Sequence, residues 1–396
     1  MANTASLPAT IRAGAANAAA TRAASIPWYL WTAAIGATSA VVGLIWDISW
    51  HISIGRDTFW TPAHLAVQLC AVLAAISCGY LILSTTFGHD AAARAASVRV
   101  LGFRAPLGAF MAAWGGITML TSAPFDNWWH NAYGLDVEIL SPPHVILGLG
   151  ILAVEFGGLI LILGRMNRAE GLLRRRLQAL FLYTGGMIVS LMGVFFLNYT
   201  DRILMHSSIF YLVVSLVMPI WLVAVARASR GRWAGTIIAA VYSTLWLAMH
   251  LLLPLFPAEP KLGPVYHNVT HFVPLGFPLL LLAPAFFLDL LWPRIEGLGK
   301  WRQAAVAGAA FLATLVAVQW PMGSFLLSPA SRNSFFHTNM YYFAEPLDSY
   351  EVRHLFYPWD KSVWLFWRGM AMALAAAIFS TRLGLVRGDW MRNIRR

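Results

Sequence analysis

Charge is what this 396-residue chain has least of: 11% of its residues are Asp, Glu, Lys or Arg, and only 17 are acidic. A soluble domain averages roughly 25% charged residues, so a water-soluble globule is excluded. Cysteine is scarce too. Cys70 and Cys78 stand on one expected helix roughly 12 Å apart at 1.5 Å rise per residue, too far for a disulfide. The apolar runs are continuous rather than alternating, which argues against a membrane β-barrel. No flavin or nicotinamide fingerprint occurs, and no c-type haem attachment motif.

What is present is long apolar sequence, with 59% hydrophobic residues. Segments of about 20 apolar residues place ten spans, near 28–46, 62–86, 101–123, 143–164, 177–197, 203–226, 233–254, 269–292, 302–326 and 363–384. The expected fold is all-α, a polytopic transmembrane helical bundle with a duplicated helical hairpin in its first four spans. The net charge of +11 would suggest nucleic acid in a soluble protein. Here the bases cluster after even-numbered spans, as at Arg94, Arg99 and Arg104, and again at Arg174 to Arg176. That asymmetry is the positive-inside pattern, so no nucleic acid partner is expected and both termini are placed in the cytoplasm. The expected location is a bacterial inner membrane, with the lipid bilayer as first partner.

Residues 1–26 are Ala- and Thr-rich with no acid, and are read as a disordered cytoplasmic tail before an uncleaved signal anchor. Duplicated hairpins follow over 27–165, then further spans over 166–326. An outer aromatic loop fills 327–362, and the last span with a basic cytoplasmic tail fills 363–396. With topology fixed by Lys and Arg alone, only His89 of the eleven histidines falls on the cytoplasmic side. Ten imidazoles at the outer (periplasmic) face point to metal, proton or redox chemistry there.

Two stretches repeat a pattern. Asp47, Trp50, His51, Gly55, Asp57, Pro62 and His64 recur as Asp126, Trp129, His130, Gly134, Asp136, Pro142 and His144, with one extra residue before the last His. Asp and His four residues apart share one helix face. Thr61-Pro62 and Ser141-Pro142 are helix starts, so each hairpin returns its second His, in the first turn of the next helix, toward the Asp/His pair. One carboxylate and two imidazoles with open positions suit non-haem iron, copper or zinc. Asp57 and Asp136 are candidates to accept a hydrogen bond from the ligands' second ring nitrogens, and Trp50 and Trp129 to keep water out. The alternative is a pair of hydrogen-bonded couples that merely fix the hairpins.

Asp-x3-His-x12-His followed by a polar residue-x3-His-x13-His resembles the C subunit of the copper membrane monooxygenases, the particulate methane and ammonia monooxygenases. The resemblance covers about residues 28–165 and implies two copper sites, Asp47/His51/His64 and Asp126/His130/His144. It also implies oxidation of a small apolar substrate with O2, an external electron donor, and partner subunits that include a soluble copper-binding module. Position 126 is Asp where that family has Asn. A non-catalytic copper carrier or assembly protein, and a proton-coupled transporter, are the competing functions.

Weaker signals lie beyond. His267 and His271 form another one-turn pair, with His250 nearby at an outer helix end; interfacial structure is the first reading, and an additional metal site or a bis-His haem are the alternatives. Glu155, near the middle of the fourth span, is expected to serve a proton route or an inter-helix hydrogen bond as a neutral acid.

Overall fold

The computed structural model describes residues 25–55, 59–133, 141–260, 269–340 and 359–396. It is an all-α bundle whose only sheet, among the described residues, is a two-stranded hairpin. In chain order the elements are α1 (Trp28–Ser53), α2 (Pro62–Phe87), a short α3 (Ala91–Ala95), the hairpin β1 (Val98–Val100) and β2 (Phe103–Ala105), α4 (Leu107–Tyr133), α5 (Pro142–Met166) and α6 (Gly171–Phe195). Then come α7 (Ser208–Ser229), α8 (Ala234–Leu252), α9 (Leu282–Ile295), α10 (Lys300–Leu326) and α11 (Val363–Arg392). Among the described residues, eight helices are long and apolar enough to cross a membrane, and α4, with 27 residues, matches them in length.

Two expected spans differ in detail. The third begins six residues late because 98–105 turn back as β1–β2 through Leu101 and Gly102, both at positive φ. The eighth is broken: residues 272–280 form neither helix nor strand, Leu281 stands in a turn, and only Leu282–Ile295 is helical. Pro274 and Pro278 cause the break, since each lacks an N–H and pushes its predecessor out of helical geometry. Non-helical backbone at membrane depth is tolerated only where protein satisfies it. Here Ser49 and Ser53 of α1 bond to Val273, the Tyr242 hydroxyl accepts from Leu279 N, and Gln319 Oε1 accepts from Leu280 N.

Helices in lipid associate through small residues that let backbones approach. Along α11, Gly369, Ala373, Ala377, Ser380, Gly384 and Gly388 form such a stripe, buried mainly against α7. At α4–α5 a Cβ added to Gly115 would meet Val154 N at 2.6 Å and Gly150 O at 2.7 Å. That contact fixes the second hairpin. At the end of the bundle away from most histidines, Asp389 of α11 pairs with Arg227 of α7 and with Lys300 of α10 at 3.1 Å, tying three helices together.

Candidate metal centre

α1 continues past its apolar run to Ser53, so Asp47 and His51 sit on its last two turns and share a face as the spacing requires. The chain leaves that helix with Ile54 N and Gly55 N both donating to Trp50 O, and Gly55 takes a φ of 96° that suits glycine. α2 then starts at Pro62, as expected. Its start is set by the proline and by Leu65 N donating to Thr61 O, without a side-chain cap bond from Thr61. α5 starts in the same way at Pro142.

The return of α2 closes the first motif. His64 Nε2 stands 3.2 Å from Asp47 Oδ1, and His51 Nε2 stands 3.9 Å from Asp47 Oδ2. One ligand atom from each of Asp47, His51 and His64 lies within 4.8 Å of the other two, and all three residues are half-buried. Donor atoms that close can be shared by one ion. Asp47 Oδ1 is shielded from solvent and accepts no hydrogen bond, although an imidazole nitrogen faces it. A carboxylate and two imidazoles that converge in this way are the donor types a divalent cation takes, so these residues fit a metal. Among the described residues they form the one such group of three.

The second motif is reached in part. His144 Nε2 lies 3.5 Å from Asp126 Oδ1, again bringing the return helix back to the carboxylate of the helix before it. The side chain of His130, and Asp57, Asp136 and His267 entirely, lie outside the described residues. So does the larger part of the expected aromatic loop, 341–358. Trp50 packs on Phe272 with ring centroids 5.8 Å apart, while Trp129 packs on Tyr133 at 4.4 Å.

Among the described residues, the other candidates are not gathered into a centre. His250 is buried with Nδ1 2.9 Å from Leu275 O and Nε2 3.1 Å from Phe335 O, so both ring nitrogens are committed to carbonyls and neither faces a haem or a metal. His271 Nδ1 lies 2.9 Å from Thr270 Oγ1. Glu155 is 1% exposed and neither carboxyl oxygen has a hydrogen-bond partner, so the inter-helix hydrogen bond expected of it is not formed.

Two features escaped the sequence reading. Gln68, one turn along α2 from His64, has a buried Oε1 without a hydrogen-bond partner. Its i+4 spacing was the available signal. Ser49 and Ser53 alternate with the ligands on α1 and bond to a segment over 200 residues away, which no local pattern reveals.

No family model, no curated protein and no solved structure matches the chain. The protein is a membrane-type helical bundle with an Asp/His/His group able to hold a metal.

Proposed function

We propose that this is a membrane copper oxidoreductase of the copper membrane monooxygenase kind, with Asp47, His51 and His64 as its principal metal ligands and Asp126, His130 and His144 as a second set. One observation carries the reading: Asp-x3-His-x12-His, the spacing that resembles that family, closes into three converging donors. Two neutral imidazoles and one carboxylate leave coordination positions open, as a site that must admit O2 requires. When bound, copper would supply O2 binding and one-electron redox chemistry. The overall reaction inserts one oxygen into a C–H bond: R–H, O2, two electrons and two protons give R–OH and water. The electrons come from an external donor, because the chain carries no cofactor motif for storing them. Asp47 supplies the single negative charge of the set and orients His64 across the hairpin. A small apolar substrate reaches such a site by partitioning into the surrounding bilayer. The excess of Lys and Arg in alternate loops supports an orientation with both termini in the cytoplasm and the ligand sets on the outer face. Partner subunits, one with a soluble copper-binding module, complete the assembly.

The test is metal analysis with electron paramagnetic resonance on the purified full-length protein. Wild type is expected to hold at least one copper per chain, and His51→Ala and His64→Ala to lose it. Stoichiometric metal untouched by both substitutions, or zinc alone, overturns the reading. Oxygen consumption with short alkanes or primary amines then separates an oxidase-type enzyme from a copper carrier, which would consume none.

A further inference from the structure

Beyond the three ligands, α1 meets the rest of the chain through its opposite face. Ser49 and Ser53 follow Asp47 and His51 by two residues each, about 200° around the helix, so they form a second stripe behind the ligand turn. Ser49 Oγ donates to Val273 O at 2.6 Å, and Val273 N donates to Ser53 Oγ at 2.8 Å. Ser53 Oγ in turn donates to Ser49 O at 2.6 Å. Both backbone polar groups of Val273 are thus used by two hydroxyls one turn apart, and Trp50 packs on Phe272 with the rings tilted by 47° beside the contact. Both serines are fully buried.

The non-helical segment is itself fixed from its far side. Its Leu275 carbonyl faces His250 Nδ1 at 2.9 Å, and Leu279 N is held by Tyr242, both on α8. The prolines that break this span therefore leave a non-helical segment, held by α8, whose Val273 amide and carbonyl are available for a helix to dock on. The need for it is local. The last four carbonyls of any helix lack intrahelical N–H partners, so the last turn frays, and here that turn carries His51.

We infer that Ser49 and Ser53, through Val273, are positioning residues for the metal centre: they pin the ligand-bearing turn of α1 to the broken span. This deepens the metal reading above and rests on it. It also gives the second half of the chain a part in the site.

The experiment uses the full-length protein in detergent with two readouts. The first is amide hydrogen exchange over residues 47–55 without metal; the second is the affinity for Cu(II), with its paramagnetic resonance spectrum, by competition against a chelator. Ser49→Ala/Ser53→Ala is expected to speed exchange in that turn and to weaken copper binding about tenfold to hundredfold, the usual loss when a ligand's outer support is removed. Ser53→Thr, which keeps the hydroxyl, is expected to restore most of both. Ser77→Ala serves as control, since that buried hydroxyl bonds only within α2, to Leu73 O. If the double variant does not fold, Ser53→Ala alone gives the same two comparisons. Unchanged exchange overturns the clamp. Faster exchange with unchanged affinity and spectrum overturns its positioning role. A wild type that binds no copper refutes the metal reading instead, and the exchange data still decide whether the clamp exists.

Discussion

Gly43 offers the sharpest way to move the ligands without touching them. It lies one turn before Asp47 on α1, and a Cβ there would meet Val67 N at 2.7 Å, Val67 Cγ2 at 2.8 Å and Ala63 O at 3.1 Å on α2. Two of these atoms are backbone beside His64, so no side-chain rotation relieves the clash. Ordinary contact begins at 3.4 Å, so Gly43→Ala forces α1 and α2 apart by about 0.7 Å at this crossing. Metal–ligand distances tolerate only about 0.2 Å. The 3.2 Å approach of His64 to Asp47 depends on that crossing. Copper affinity is therefore expected to fall at least about tenfold, the low end for disturbed ligand support. Overpacking costs about 1–3 kcal/mol, offset in part by about 1 kcal/mol of helix propensity gained on replacing Gly by Ala, so the bundle itself survives. Gly36→Ala is the matched control at the same interface, because its added Cβ has 3.7 Å to the nearest atoms of Cys70. That variant should bind copper like wild type. Chelator competition and thermal unfolding of both variants decide the matter. Wild-type affinity in Gly43→Ala, or an equal loss in Gly36→Ala, refutes the argument that this glycine sets the ligand spacing.

Two further outcomes follow from buried polar groups. Glu155 has no hydrogen-bond partner for either oxygen, so Glu155→Leu is expected to stabilise the detergent-solubilised protein by about 1–3 kcal/mol, the usual penalty of an unsatisfied buried polar group. A lower melting temperature in that variant would show that the carboxyl has a partner in solution. Outside the spans, burial and the neighbouring His250 hold the His337 imidazole below its ordinary 6.5, so its protonation disfavours the folded arrangement. The unfolded segment binds more protons in the window just below pH 6.5, and stability there rises with pH. Protection factors over residues 335–340, with the intrinsic pH dependence of amide exchange divided out, should therefore be lower at pH 5 than at pH 7.5, and His337→Asn should flatten the difference. Protection that rises on acidification contradicts this sign.

Much of the bundle was legible from the chain alone because its rules are local. Long apolar runs dictate helices in lipid, and Pro62 and Pro142 start α2 and α5 where the Thr-Pro and Ser-Pro steps indicated. The pairing of Asp47 with His51 follows from 3.6 residues per turn and needs no tertiary contact. The break at 272–281 was marked by Pro274 and Pro278, yet hydropathy concealed it, because an apolar non-helical segment buried in protein reads like part of a helix.

The sequence by itself determined the helical class, the repeated carboxylate–imidazole spacing and the direction in which each hairpin returns, since these depend on helix periodicity and apolar run length. Only the tertiary structure decided that His64 reaches Asp47 while both nitrogens of His250 turn to carbonyls. It also decided that Glu155 has no hydrogen-bond partner and that Ser49 and Ser53 meet Val273. The reason is distance along the chain. A helix sets neighbours three or four residues apart, but which atoms meet across two helices depends on how closely small residues such as Gly43 let their backbones approach.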